Sequence, residues 1–301
     1  MNCVIIIAGP TAVGKTALSL QLAQHFNTAI ISADSRQCFR ELNIGVAKPE
    51  PQELALAPHY FINSHSIQEE VNAAVFEQYA LDAAASVFTH NPVAVMVGGT
   101  GLYIKAFCEG LDNIPPVPDE IHEQVVAQYQ QHGLEWLQQQ LQEKDPEFWA
   151  VAEQQNPQRL MRALEVWNAT GASIHSFRVG KKEQRSFAVI KIGLELDRPV
   201  LYQRINARVD IMMQQGLLAE ATELYPQKHL NALQTVGYRE FFDYLDGKTT
   251  LPQAVELLKQ NTRHYAKRQM TWFKKDAAVQ WFHPADSEAV IAYVTTMLAQ
   301  L

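Results

Sequence analysis

The sequence predicts an α/β fold, in which a parallel sheet is flanked by helices and carries an all-helical insertion domain. Apolar runs without polar alternation are typical of strands buried on both faces of a parallel sheet, and they occur at Cys3–Ala8, 29–33 and Val93–Val97. Segments with helical spacing of apolar residues separate these runs. Beyond the proline-rich stretch 114–118, only helical patterns follow up to about residue 186.

A glycine-rich loop lies between the first predicted strand and the first predicted helix. The helix is predicted because Leu18 and Leu22 recur at helical spacing. The loop has the pattern G-x-x-x-x-G-K-T and consists of Gly9, Pro10, Thr11, Ala12, Val13, Gly14, Lys15 and Thr16. In this strand-to-helix context the pattern is typical of a phosphate-binding loop, so the predicted fold is P-loop NTPase-like. Its backbone N–H groups and the helix N-terminus favour a phosphate or diphosphate. Lys15 supplies a mobile charge, and the Thr16 hydroxyl is a candidate Mg²⁺ ligand.

Composition excludes several classes of protein. The chain has 301 residues, of which 47% are hydrophobic, which suffices for one large or two smaller packed domains. Three cysteines without metal-type spacing predict neither a disulfide framework nor a zinc site. The sequence shows neither a membrane-length apolar stretch nor a signal-peptide pattern, so we expect a cytoplasmic protein without a membrane partner.

The charge distribution is uneven. A formal net charge of -7 argues against a nucleic-acid partner, but the basic residues are clustered. Such clusters are either ordinary solvated faces or contacts to phosphates. One cluster contains Arg159, Arg162, Arg178, Lys181, Lys182 and Arg185, and the other contains Arg263, Lys267, Arg268, Lys274 and Lys275.

In the first part of the chain, polar or glycine-rich residues follow the ends of three predicted strands. The phosphate loop follows the first strand, residues 34–37 follow the second, and Gly98, Gly99 and Thr100 follow the strand Val93–Val97. Residues 59–67 are predicted to be extended, and residues 76–88 are predicted to form a helix. In a parallel sheet these three segments converge on one cleft, where ligands bind.

The proline-rich stretch marks the predicted domain boundary. We expect a core domain formed by residues 1–117 and 187–301, and a helical insertion at 118–186. Within the insertion, helices are predicted at 119–131, ending at Gly133, and at 134–143. A third helix has Asn156 as its cap, Pro157 at its first position and Gly171 after its end.

The return segment completes the predicted sheet. A strand at 187–196 precedes a helix capped by Asp197, and that helix carries Arg204 and Arg208. Further helices are predicted at Leu217–Leu224 and from Thr235 onward. A long helix at 252–275 then precedes a strand at Val279–Phe282 and a C-terminal helix.

The residues alone leave two enzyme classes open: a P-loop small-molecule kinase, and a transferase in which diphosphate is the leaving group. A nucleotide-switched binding protein is disfavoured because the sequence contains no N-K-x-D pattern for base recognition. The strand Val93–Val97 also ends in Gly-Gly-Thr, where an ATPase usually places a metal-binding aspartate.

Seven sequence blocks together resemble the tRNA dimethylallyltransferases, also called tRNA isopentenyltransferases. The blocks are 9–16, 34–37, 44–49, 98–103, 156–160, 236–239 and 266–269. They span almost the whole chain and occur in the order of that family. The sequence departs from the family pattern at three positions: Phe39 replaces the usual Tyr, Val46 replaces Thr, and His122 replaces a common Arg.

The resemblance implies transfer of a dimethylallyl group from dimethylallyl diphosphate to N6 of the adenosine at position 37, next to the tRNA anticodon. It implies that residues 9–16 bind the diphosphate together with Mg²⁺, for which Thr16 is the ligand. It also implies that Asp34 accepts the amine proton, that Thr100 lines the reaction channel, and that Arg208 and Lys15 assist the leaving group. The implied partner is the tRNA anticodon stem-loop, and we expect a monomer. The implied tRNA-binding residues are Asp34, Ser35, Arg36, Gln37, Thr100, His122, Gln158, Arg159, Leu160, Met161 and Arg162.

Overall fold

The computed structural model describes residues 1–180 and 182–301, and the chain forms two compact units. One unit consists of Met1–Glu109 and Gln184–Leu301, and the other consists of Gly110–Glu183. Lys181, which the sequence places in the first basic cluster, lies outside the described residues.

The larger unit contains a parallel sheet whose strand order is β3-β2-β4-β1-β5-β6 in the described chain. Because β4 pairs with both β1 and β2, the loops that follow these three strands lie side by side at one edge of the sheet. This parallel sheet flanked by helices confirms the predicted fold class. The strands are β1 Cys3–Ala8, β2 Ile30–Ser32, β3 His59–Tyr60, β4 Val93–Val97, β5 Ala188–Leu194 and β6 Val279–Phe282.

The central strand, β1, is buried along its whole length. Ile5 pairs with Val95 of β4 on one side and with Ile190 of β5 on the other. Because side chains alternate across a strand, Val4 and Ile6 pack into one hydrophobic core, whereas Ile5 and Ile7 pack into a second core on the opposite face. Helices covering both faces explain why the strand sequence lacks polar alternation.

Four helices accompany the first four strands of this unit. They are α1 Lys15–His25, α2 Pro51–Leu54, α3 Ala73–Phe88 and α4 Gly101–Glu109. α3 begins three residues before the prediction, because the Asn72 side chain accepts hydrogen bonds from the N–H groups of Ala74 and Val75 and so caps the helix.

The predicted extended segment at 59–67 is wrong beyond Tyr60. Phe61 and Asn63 adopt positive φ angles of 62° and 54°, which turn the chain out of the strand. Phe61 is fully buried and packs edge-on against Phe76 and Tyr79. Aromatic packing therefore shapes this segment, in which the β-type pairing beyond Tyr60 is one isolated bridge between Phe39 and His65.

The smaller unit is helical, with α5 Asp119–Lys144, α6 Pro146–Val151, α7 Pro157–Thr170 and α8 Ile174–Phe177. Gly133 interrupts α5 with φ 74°, and this confirms the predicted break. The Asn156 side chain accepts a hydrogen bond from the Arg159 N–H, and Gly171 ends α7 in the left-handed conformation. The core of this unit includes Val125, Leu137, Leu141, Leu160 and Leu164.

The C-terminal part of the larger unit contains five more helices. Asp197 occupies the N-cap position of α9, as predicted, although its side chain makes no cap hydrogen bond. Thr250 and Gln253 form a capping box at the start of α12. The helices are α9 Arg198–Gln214, α10 Leu217–Leu224, α11 Arg239–Leu245, α12 Leu251–Phe273 and α13 Ser287–Ala299.

Across residues 1–180 and 182–301, we find no helix with the length and apolar character needed to cross a membrane.

Candidate active site

The loop after β1 has the backbone geometry of an anion-binding turn. Gly9 has φ 144°, and a Cβ atom on it would lie 2.7 Å from the carbonyl oxygen of Leu194, so only glycine fits. Gly14, with φ 114°, precedes the first residue of α1. The first N–H groups of a helix have no intrahelical partner, so this end of α1 can donate to an anion.

Lys15 is the first residue of α1, and its side chain turns back over the loop. Its Nζ atom donates to the carbonyl oxygen of Gly9 at 3.0 Å and to that of Pro10 at 2.7 Å. Burial lowers the pKa of Lys15 to about 7; the nearby Asp34 carboxylate acts against this shift, and Arg208 adds to it. An anion bound at the loop would favour the charged form of this lysine.

Asp34 lies immediately beyond β2 and holds a tight turn. Its Oδ1 atom accepts hydrogen bonds from the backbone N–H groups of Arg36 at 2.9 Å and Gln37 at 3.3 Å. Among the described residues no hydrogen bond reaches Oδ2. One carboxylate oxygen therefore braces the turn, and the other remains available to a substrate.

The glycine-rich loop after β4 packs tightly against the end of β2. A Cβ atom on Gly98 would lie 2.1 Å from the carbonyl oxygen of Ala33. The next polar residue of the loop, Thr100, accepts a hydrogen bond at Oγ1 from the Ser35 N–H over 3.1 Å. Burial raises the pKa of Tyr265 of α12, which lies near Thr100, to about 12.

A cavity of about 490 Å³ opens at this edge of the larger unit, where loops from β1, β2 and β4 meet. Its charged wall contains Lys15, Asp34, Arg36 and Arg208, together with Glu53 of α2. An apolar wall is formed mainly by α9 and α12. The apolar residues include Val46, Ile205, Val209, Met212, Val236 and Leu258.

Most residues predicted for the core site reach this cavity. Those that line it are Thr11, Ala12, Gly14, Lys15, Thr16, Asp34, Ser35, Arg36, Gln37 and Arg208. Gly9, Pro10 and Val13 shape the loop without lining the cavity. Thr100 is likewise not among the residues that line the cavity, and its hydroxyl accepts from the Ser35 N–H of the turn that carries Asp34.

Arg208 approaches the same cavity from α9. Burial lowers the pKa of its guanidinium group, and the Glu53 carboxylate opposes that shift. The neighbouring Arg204 is exposed, but it also donates to the carbonyl oxygen of Val13 at 3.4 Å. The phosphate loop is therefore approached by two arginines from one helix.

Sequence reasoning gave no role to two side chains that organise the cavity. Gln269 of α12 accepts a hydrogen bond from the Thr11 N–H at 2.9 Å and donates to the carbonyl oxygen of Gly99 at 3.0 Å. Glu220 of α10 accepts hydrogen bonds from the N–H groups of Ile44 and Gly45, next to the cavity residue Val46. Gln269 lies in the block 266–269, which is a sequence signal, whereas nothing local distinguishes Glu220.

In the helical unit, the predicted tRNA-binding residues divide into exposed and buried groups. Gln158 and Arg159 are exposed, and Arg159 is paired with Glu153 at 2.9 Å. Leu160 and Met161 are 0% and 7% exposed, so their side chains pack in the core of this unit and are not available to RNA. A contact of tRNA with Leu160 or Met161 stays a prediction, and it would have to involve the backbone.

A buried carboxylate holds two basic residues of the same unit. Glu165 accepts from Nδ1 of His122 at 2.8 Å and from Nη1 of Arg162 at 3.5 Å. Burial lowers the pKa of Arg178, and the nearby Arg159 and Arg162 lower it further. Like charges therefore accumulate at this face of the unit, with one acid holding His122 and Arg162.

The basic clusters are smaller than the sequence suggests. Arg185 belongs to the larger unit, where it pairs with Glu77 at 2.6 Å and donates to the carbonyl oxygen of Ala106. Lys274 is paired with Glu195 at 2.7 Å, and Arg263 donates to Asn206. Lys267 and Arg268 remain exposed on α12.

The phosphate loop offers few oxygen ligands, as expected for a hard cation such as Mg²⁺ that is bound mainly by the phosphates of a substrate. In the part of the chain that the structure describes, no group of three or more His, Cys, Asp or Glu side chains is arranged to hold a metal ion. Thr16 lines the cavity, and its hydroxyl is an oxygen ligand of the kind that shares Mg²⁺ with substrate phosphates.

Comparisons with known proteins point to one family. The family model described as IPP transferase matches residues 37–276. A tRNA dimethylallyltransferase of Christiangramia forsetii is 49% identical over 298 residues, which cover 99% of each chain. A tRNA dimethylallyltransferase 1 of Bacteroides thetaiotaomicron is 45% identical over 294 residues, which cover 98% of this chain and 96% of the relative.

Solved structures give the same picture. The crystal structure of the full-length tRNA isopentenylpyrophosphate transferase of Bacillus halodurans superposes with a TM-score of 0.71 at 35% identity, covering 99% of this chain and 96% of that one. A eukaryotic dimethylallyltransferase acting on tRNA has a TM-score of 0.81 at 26% identity, covering 100% of this chain and 80% of that one. Sequence and fold agree over the whole length, and the chain therefore belongs to the IPP transferase family.

Proposed function

We propose that this protein transfers a dimethylallyl group from dimethylallyl diphosphate to N6 of adenosine-37 in the tRNA anticodon loop. The products are N6-isopentenyladenosine and diphosphate. The single observation that carries the proposal is the cavity in which the Asp34 carboxylate shares one wall with Lys15, which follows the phosphate loop, and with Arg208 of α9.

The cationic side of the cavity suits a diphosphate leaving group. As the C1–O bond of the donor breaks, the electron pair leaves with the diphosphate, and the developing charge must be neutralised. Lys15, the loop amides and Arg208 are placed to do so. Mg²⁺ held by the Thr16 hydroxyl and the diphosphate oxygens would supply further charge stabilisation.

Asp34 suits the acceptor side of the reaction. The exocyclic amine of adenine is a weak nucleophile, and it loses a proton as the N6–C1 bond forms. Oδ2 of Asp34 is available to accept that proton, while Oδ1 keeps the carboxylate fixed on its turn. To reach this position the base must leave its neighbours in the anticodon loop.

The apolar wall suits the hydrocarbon part of the donor. Ile205, Val209 and Leu258 face the same cavity as the charged groups. Such a surface binds a five-carbon chain without offering water access to a carbon that is losing its leaving group.

The helical unit supplies candidate contacts to the RNA backbone. Arg159 and Arg162 are at least partly exposed, with side-chain exposures of 55% and 43%. We propose that they pair with phosphates of the anticodon stem. A monomeric state and a cytoplasmic location stay predictions.

The kinase alternative is not favoured. The loop after β4 contains Gly98, Gly99 and Thr100 and offers no carboxylate for the metal of an ATPase. The relatives are also named as transferases acting on tRNA, over nearly the full chain.

One assay tests the proposal. The protein is incubated with Mg²⁺, dimethylallyl diphosphate and an anticodon stem-loop that carries adenosine-37, and the RNA mass is measured. We expect an RNA heavier by one prenyl unit, and no change in a matched stem-loop with guanosine at that position. Phosphate transfer from ATP to a small acceptor, without RNA prenylation, would contradict the proposal.

A further inference from the structure

Gln269 joins two loops of the cavity through its side-chain amide. Its Oε1 atom accepts from the Thr11 N–H of the phosphate loop at 2.9 Å, and its Nε2 atom donates to the carbonyl oxygen of Gly99 at 3.0 Å. The residue is only 5% exposed. A buried amide with both ends hydrogen-bonded is expensive to move, because every displacement leaves a polar group unsatisfied.

The side chain is also tightly enclosed. A Cβ atom on Gly99 would lie 2.1 Å from Nε2 of Gln269, so the glycine is needed for this close approach. On the same helix, Ala266 and Phe273 are buried at 0% and 4% exposure. α12 is therefore held in place by buried residues on both sides of Gln269, which limits movement of the backbone that carries the amide.

The two contacts belong to opposite halves of the proposed reaction. Thr11 lies in the loop that we assign to the diphosphate. Gly99 precedes Thr100, whose hydroxyl accepts from the Ser35 N–H, and Ser35 follows Asp34 directly. A continuous path of hydrogen bonds and covalent bonds thus runs from the diphosphate loop through Gln269 to the turn that carries the proposed proton acceptor.

We propose that Gln269 is a positioning residue that sets the distance between the diphosphate loop and the turn of Asp34. The inference rests on the proposed function. It also means that the Thr11 N–H is engaged by protein and that diphosphate is bound by the remaining groups of the loop. Without the Gln269 amide, the diphosphate loop and the turn of Asp34 each keep their own local hydrogen bonds. The distance between them is then no longer fixed by this side chain.

This role predicts a specific kinetic pattern. Gln269→Met keeps the length and volume of the side chain but removes both hydrogen bonds. We expect the single-turnover rate at saturating RNA and donor to fall about 10²-fold, as misplacement of reacting groups by about 1 Å does. The equilibrium affinities for the donor alone and for the RNA alone should change less than about threefold.

Two further variants sharpen the comparison. Gln269→Glu keeps the acceptor for Thr11 but places an oxygen against the Gly99 carbonyl, so it should lose rate about as much as Gln269→Met. Gln260→Met makes the same chemical change on an exposed residue of α12 and should leave the rate unchanged. Melting curves on all samples identify any loss that is due to unfolding.

A double-mutant cycle tests whether Gln269 acts through Thr100. Thr100→Val removes the hydroxyl at similar volume. We expect Gln269→Met to reduce the single-turnover rate much less in the Thr100→Val background than in the parent protein. In that background the hydrogen bond between Thr100 and Ser35 is already lost, so Gln269 can no longer act through it. Full multiplication of the two effects would overturn the proposal, as would a loss of donor affinity as large as the loss of rate.

Hydrogen exchange gives a readout that does not depend on activity. Removal of the Gln269 acceptor should speed exchange of the Thr11 amide in Gln269→Met but not in Gln269→Glu. Unchanged exchange in Gln269→Met would overturn the assigned hydrogen bond. A parent protein that fails to prenylate RNA contradicts the proposed function, whereas an active parent with a fully active Gln269→Met contradicts only the role of Gln269.

Discussion

The Thr100 hydroxyl oxygen accepts a hydrogen bond from the Ser35 backbone N–H over 3.1 Å, which ties the loop after β4 to the turn after β2. The same turn is held from within by Oδ1 of Asp34. The carboxylate therefore has little freedom to move, and a rigid acceptor loses little entropy when a substrate proton is transferred to it.

Asp34→Asn should reduce turnover while leaving the fold intact. Asparagine keeps an Oδ1 acceptor for the turn but removes the basic oxygen. We expect the single-turnover rate at saturating substrates to fall roughly 10²- to 10⁴-fold, with much smaller changes in substrate affinity.

Asp82→Asn is the matched control, because it makes the same change at an exposed carboxylate of α3. It should have parental activity. A near-parental rate for Asp34→Asn, at an unchanged melting temperature, would eliminate Asp34 as the proton acceptor.

Lys15 should make donor binding depend on pH. Its pKa is about 7 in the structure, lowered by burial, and a bound diphosphate raises it again. Above pH 7 binding must therefore take up a proton, and affinity falls as pH rises. Calorimetry at pH 8 in buffers of different ionisation enthalpy should show uptake of roughly one proton.

Lys15→Met isolates this contribution, since the diphosphate itself titrates equally with both proteins. The variant should bind donor more weakly at pH 7 and should lose most of the proton uptake. It should also react more slowly, with a barrier about 3 kcal/mol higher, because charge on the leaving group is no longer neutralised by the lysine. Equal proton uptake by the two proteins would contradict the assignment.

Glu220 should matter for stability more than its partner Tyr238. Its carboxylate accepts from the Ile44 N–H, the Gly45 N–H and the Tyr238 hydroxyl at 2.8, 2.9 and 2.7 Å. Glu220→Ala leaves three donors without this acceptor and should lower the free energy of unfolding by about 3 kcal/mol. Tyr238→Phe removes one donor and should cost about 1 kcal/mol. Denaturant unfolding measures both, and equal losses would contradict this account.

Arg159 and Arg162 should contribute to RNA affinity through phosphates. The double variant Arg159→Ala/Arg162→Ala should bind the stem-loop more weakly and reduce the salt slope by about one unit for each phosphate that is no longer neutralised. Donor affinity should not change. Lys248→Ala removes an exposed, ion-paired lysine of the larger unit and serves as the control. An unchanged salt slope for the double variant would assign the two arginines to an ordinary solvated surface.

The sequence predicted those parts of the fold whose conformation depends on nearby residues. The uninterrupted apolar run of β1, the caps at Asn156 and Gly171, and the break at Gly133 all act within a few residues of the backbone that they shape. Residues 61–67 escaped prediction because burial of Phe61 against two distant rings turns that segment away from an extended strand.

The candidate site likewise combines features that depend on nearby residues with features that depend on distant contacts. The phosphate loop and the polar residues at three strand ends are predictable from local patterns, because a parallel sheet brings the carboxyl ends of its strands to one edge. Three other features become visible only in the folded chain: Gln269 contacts Thr11, 258 residues away, Arg185 is paired with Glu77, and Leu160 is buried. These relationships join groups that are far apart in the chain, and their partners are chosen by packing, which no local pattern encodes.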